Sequence, residues 1–107
     1  MAVSIPIDYN TSGAHTLVSG IAGRKIRVIG YFLASAGTLT VQFTDSIPTN
    51  LTGVMSITSG QMHSPGAFGH GDLDKHWWFE TSPGADLIIN YSASVQCGGY
   101  LHYERTM

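Results

Sequence analysis

Apolar residues along this chain recur at every second position, and the clearest stretch is residues 23–45, GRKIRVIGYFLASAGTLTVQFTD. Ile26, Val28, Phe32 and Ala34 share one side of an extended segment. Leu39, Val41 and Phe43 repeat that spacing after Ser35-Ala36-Gly37. A two-residue period built from β-branched and aromatic side chains, broken by a glycine turn, predicts an antiparallel hairpin with one buried face. Ile29, Tyr31 and Leu33 fall on the other side. A strand apolar on both faces is either covered twice or presents a contact to another molecule. In so small a domain the contact is the expectation.

The same alternation continues elsewhere. Residues 3–7 read as a strand, and Pro6 suggests an edge position or a strand end because proline cannot donate to a ladder. Further strands are expected over 16–18, 51–57 and 76–81. Residues 85–92 and 95–104 read as a second hairpin, with Leu87, Ile89 and Tyr91 sharing one side and Cys97, Leu101 and Tyr103 sharing one side of the partner strand. No segment keeps a helical period. About eight short strands separated by turn residues predict an all-β fold, an antiparallel β-sandwich of jelly-roll type, with residues 1–107 forming one domain.

Composition narrows the function. Of the 107 residues, 43% are apolar and only 11% are charged, against about 25% in an ordinary soluble domain. Serine and threonine, 21 together, fill the gap. Hydroxyls and glycines enter an interface at little desolvation cost, whereas an unpaired charge does not. Such a surface favours an assembled, structural protein. The net charge of -2 and the single cluster Arg24, Lys25, Arg27 argue against nucleic acid as a partner. The one cysteine, Cys97, is expected to pack as a small apolar residue. The sequence begins without a secretory pattern and has no apolar run long enough for a membrane span, so assembly in a reducing cytoplasm is expected.

Candidate chemistry is sparse. His63, His70, Asp72, Asp74 and His76 gather imidazoles and carboxylates, and Asp72, Asp74 and His76 would share one side of an extended segment. The spacing matches no recognised ligand set, and Gly66, Gly69 and Gly71 argue against a rigid site, so no metal or cofactor is expected. Trp77, Trp78 and Phe79 form the densest aromatic cluster. Alternation sends Trp78 inward and leaves Trp77 and Phe79 on the other side, or the reverse, so at least one tryptophan belongs to the core; Trp77 and Phe79 are the candidate partner anchors. No serine lies in a nucleophile elbow, Cys97 has only His102 on the same predicted hairpin, and no glycine loop precedes a helix. An enzyme is not expected.

Five segments together carry a resemblance: AGRKIRV at 22–28, TVQF at 40–43, LTGVM at 51–55, and WFETSPGADL (78–87) followed by VQCGGYLHY (95–103). The pattern resembles small structural proteins of tailed bacteriophages. It implies a virion component, in first place a capsid decoration or cement protein. Such a protein would be a homotrimer bound to the major capsid protein on the outer capsid surface, assembled in the host bacterial cytoplasm, with no nucleic-acid or membrane partner. The alternative is a carbohydrate- or receptor-binding β module of a tail fibre or tail tip.

Overall fold

The computed structural model describes residues 3–64 and 77–106. Its strands are β1 (Val3–Tyr9), β2 (Gly13–Val18), β3 (Ile26–Ser35), β4 (Leu39–Asp45), β5 (Met55–Ile57), β6 (Met62–His63), β7 (Phe79–Glu80), β8 (Leu87–Tyr91) and β9 (Cys97–Arg105). Sheet A has the order β1-β9-β3-β6, with β7 also on β3, and sheet B has the order β2-β8-β4-β5. All pairings are antiparallel and they nest: β1 with β9, β2 with β8, β3 with β6 and β7, β4 with β5. β6 meets β3 at Leu33 and Ala34, and β7 meets it at Arg27 and Val28, so the two stand for one interrupted strand. Nested pairs folded over into two facing sheets make a jelly roll. The all-β sandwich is as the alternation predicts, and Pro6 does lie on an outer strand, opposite Tyr100.

Neither expected hairpin forms. β3 belongs to sheet A and β4 to sheet B, so the Ser35-Ala36-Gly37 turn carries the chain across the sandwich, and β8 and β9 are separated likewise. A tight turn fixes only that the chain reverses. Whether the next strand lies beside its predecessor or across the core depends on which apolar faces must meet. Here the turn is held by the far connection: Ala36 N donates to the Gln96 carbonyl at 2.9 Å. Gly37 packs closely there, since a Cβ would stand 2.8 Å from Val95 Cγ1 and Val95 would have to shift.

The second correction concerns β3 itself. Its register against β9 passes from Val28↔Tyr103 to Gly30↔His102, so Ile29 is an extra residue, a β-bulge. One inserted residue exchanges the two faces of everything that follows. Ile26 and Val28 point inward as predicted, but beyond the bulge Tyr31, Leu33 and Ser35 are the buried residues, while Phe32 is half-buried and Ala34 exposed. Tyr31 and Leu33, expected at a partner contact, are therefore core residues of their own chain. Gly99 lets β9 follow the distorted β3 closely, since the Phe32 carbonyl occupies the space its Cβ would need.

The core lies between the sheets. Ile7, Ile26, Val28, Leu33, Leu101 and Cys97 from sheet A meet Leu39, Val41, Phe43, Ile57, Leu87 and Ile89 from sheet B. Aromatic contacts fill both ends, Tyr31 to Phe43 to Phe79 at centroid distances of 5.0 and 5.1 Å, and Tyr9 on His15 at 4.1 Å. The shifted alternation has a direct test. Leu33→Ala should cost about 2–5 kcal/mol in urea unfolding and Phe32→Ala about 1 kcal/mol or less. Uninterrupted alternation requires the reverse order.

Candidate functional site

The described residues offer little for chemistry. They contain no group of three or more His, Cys, Asp or Glu side chains that could hold a metal ion. His63 is half-buried on the β6 edge, its ring stacked on Tyr31 at 5.7 Å with Nδ1 3.3 Å from the Tyr31 hydroxyl. His70, Asp72, Asp74 and His76 lie outside the described residues. Cys97 and His102 stand on one strand but on opposite faces, the thiol buried and the imidazole exposed, so they form no dyad.

The perturbed titratable groups point the same way. Burial raises the pKa values of Tyr31 and Tyr91; for Tyr91 the neighbouring Cys97 adds to this, and its hydroxyl donates to the Cys97 carbonyl at 2.6 Å. Burial also raises the Cys97 thiol, more than Tyr91 lowers it. Asp45, 1% exposed, is pushed up by burial, but hydrogen-bond donors outweigh that and hold it below its ordinary value. Oδ1 accepts from Ile47 N at 3.1 Å and Thr49 N at 2.7 Å, and Oδ2 accepts from Ser82 N at 2.9 Å. For Glu80, burial is likewise outweighed, by Arg27 Nε at 2.9 Å and Lys25 Nζ at 3.2 Å. Each shift favours the unreactive form at neutral pH: thiol and phenols protonated, carboxylates ionised and occupied. These groups hold loops and sheets together.

What remains is surface. Across β1, β9 and β3 the outward positions of sheet A form rows: Asp8, Gly98 and Ala34; Pro6, Tyr100 and Phe32; Ser4, His102 and Gly30. Phe32 and Tyr100 stack at 5.7 Å with 18° between ring planes, and His102 tilts against Tyr100 at 5.0 Å. Tyr100 is 43% exposed, and Met62, beside Ala34 on β6, is 67% exposed. The outward face of sheet B differs in kind. Its rows are Ala14, Asn90, Gln42 and Thr16, Ile88, Thr44, and the one charged residue in its strands, Asp45, points into the core. Its polar groups already have partners: Asn90 Nδ2 donates to Thr44 Oγ1 at 2.9 Å and Gln42 Nε2 to the Thr52 carbonyl at 3.0 Å.

The residues proposed as partner anchors fare unevenly. Ile29 is half-buried at the bulge. Tyr31 and Leu33 are buried, and Phe79 turns its ring onto Phe43. Trp77 is half-buried with the Arg27 guanidinium 3.8 Å above its ring. The outward ring pair is instead Tyr100, exposed, and Phe32, half-buried. Its sequence signal was Gly30, a glycine inside a strand, which marks a bulge and hence a change of face.

No protein-family model and no curated protein matches the chain. Among solved structures, the chain is similar to one described as "Bacillus endospore appendages form a novel family of disulfide-linked pili", with a TM-score of 0.56 and 15% sequence identity, over 100% of this chain and 87% of that one. That likeness establishes a shared fold.

Two measurements check the electrostatic reading. Asp45 and Glu80 have folded pKa values below their ordinary 3.8 and 4.5, so each stabilises the fold above those values and loses that contribution as pH falls through the folded value. Asp45→Asn should therefore cost about 2 kcal/mol near pH 7 and flatten the acid limb of a thermal-melt profile. Cys97, 0% exposed, should react with an aromatic disulfide reagent only at the rate of unfolding, and at once in denaturant.

Proposed function

We propose that this chain is a non-enzymatic structural subunit that works by packing, in many copies, into a larger proteinaceous assembly. The observation that carries this reading is the row of Pro6, Tyr100 and Phe32, an aromatic surface on the outward face of sheet A that the described chain leaves uncovered. Exposed apolar surface of this kind marks association in small soluble domains. The charge-poor composition and the fold shared with a pilus-forming protein support it. Disulfide linkage belongs to that protein's description. In this chain the only thiol is buried Cys97, so copies of it would associate without a covalent bond through that residue.

The resemblance to small phage proteins makes the virion the leading candidate for the assembly: a trimeric decoration protein on the major capsid protein, strengthening the head from outside, acquired in the host cytoplasm. A repeating module suits that task because many modest contacts on a lattice add up through avidity. A second reading is favoured by the same surface. Tyr100 flanked by His102, Asp8 and Gln96 is the mixture of flat ring and polar edge that a sugar would meet on a tail-fibre module.

Light scattering on the purified protein and co-sedimentation with undecorated capsids decide between them. Self-association at micromolar concentration with saturable capsid binding is the expected result. A monomer indifferent to capsids, whose aromatic fluorescence responds to host surface polysaccharide, would reverse the order of the two readings.

A further inference from the structure

We infer that the outward face of sheet A is the contact surface for a second copy of this chain, packed about a two-fold axis lying along the Pro6–Tyr100–Phe32 row. The inference rests on the structural-subunit reading and deepens it by naming the surface and the partner.

The strand register supplies the argument. A two-fold axis along that row keeps β1 over β1, β9 over β9 and β3 over β3, and it reverses the strand direction. The rows on either side of the axis therefore exchange. Tyr100 meets its own mate on the axis. His102, exposed beside Tyr100, comes opposite Gly98 of the other copy, beside which the Gln96 amide lies, its Nε2 3.6 Å from where a Gly98 Cβ would stand. Beside Gly98 stands Asp8, whose Oδ1 accepts from Gln96 Nε2 at 2.6 Å, and its second carboxylate oxygen is the group we assign to the incoming His102. Gly30 and Ala34, the other exchanged pair, are both small. The exchanged rows thus pair His102 with Asp8 and small residues with small residues across one axis, as an isologous contact requires.

Size and energetics agree. The molecule measures 38 × 30 × 22 Å, and a two-sheet sandwich is thin along its stacking direction, so a broad face offers roughly 900 Å² in projection, near the ~800 Å² per partner of a standard interface. An aromatic centre with a polar rim is the anatomy of such contacts. Arg27 on β3 and Lys25 just before it are both paired with Glu80. Sheet B's outward face lacks the rings and has its amides satisfied internally, so it serves as the control surface.

The test is sedimentation velocity across a concentration series, on the wild type and on Tyr100→Glu, Phe32→Glu, His102→Asp, the exchanged pair His102→Asp with Asp8→His, and Thr16→Glu on sheet B. Melting curves confirm that each variant folds. Expected masses are even multiples of the chain, a hexamer of two face-paired trimers where the trimer of the virion reading forms. Tyr100→Glu and Phe32→Glu should each weaken association at least about thirtyfold, and Thr16→Glu should leave it unchanged. His102→Asp should weaken it by placing two carboxylates together, and the exchanged pair should restore it. Association that tolerates all sheet A variants but is lost with Thr16→Glu overturns the inference and leaves the structural reading standing. So does a trimer alone, because a two-fold contact enlarges a trimer only by pairing two of them. A wild type that stays monomeric and joins no particle overturns both.

Discussion

The fold depends on one constraint: among the described strands, every connection except β4–β5 and β6–β7 moves the chain from one sheet to the other. Strands that pair are therefore distant in sequence, and the ladders give no support to the connections between them. Backbone groups in those connections still need partners, since a buried amide left unpaired costs as much as a lost hydrogen bond. Side chains supply them. Thr81 Oγ1 accepts from Ile26 N at 2.9 Å, Thr106 Oγ1 from Lys25 N at 2.9 Å, and Ser46 Oγ from Asp86 N at 2.9 Å. Asp86 Oδ1 accepts from Gly20 N at 2.6 Å, and Asp45 serves two loops at once. The hydroxyl-rich, charge-poor composition is in part the consequence of this topology. Short hydroxyl and carboxylate arms reach a neighbouring backbone where long charged ones would not fit.

This bears on how much could be read from residues alone. Alternation is a local property, so the inward faces of β4, β8 and β9 were legible: Leu39, Val41 and Phe43, then Leu87, Ile89 and Tyr91, then Cys97, Leu101 and Tyr103 are all buried. Pairing is not local. Ser35-Ala36-Gly37 announces a reversal, but the hydrogen-bond partner of β3 is β9, some seventy residues on by the Ser35↔Cys97 to Ile26↔Arg105 register, and nothing near the turn encodes it. The short strands were overestimated for a related reason. Of residues 51–57 only Met55–Ile57 pairs, because Leu51 N and Thr52 N are drawn to the Phe43 carbonyl instead.

The bulge at Ile29 shows how a single local feature decides a surface. Without it, Phe32 would join Ile26 and Val28 inside, and Leu33 would face water. With it, Tyr31 reaches Phe43 across the core and Phe32 lies beside Tyr100 on the outside. The residues expected to serve as contacts and those available for it are neighbours in sequence that exchanged places. A bulge is a fixed geometric device in a ladder, and it commonly re-aims side chains where a sheet does its work.

The edges explain why the face, more than the rim, is open to association. An unpaired strand edge invites pairing with another chain, and each of the four is blunted differently. β1 carries Pro6, β2 has a register shift between Thr16 and Val18, β5 is three residues long, and β6 and β7 are two each. Backbone pairing with another chain is thereby made difficult along these strands, while the described residues leave the ring row on sheet A uncovered. A subunit built this way can bind repeatedly through side chains without the risk of indefinite strand addition, which is the difference between a defined assembly and an aggregate.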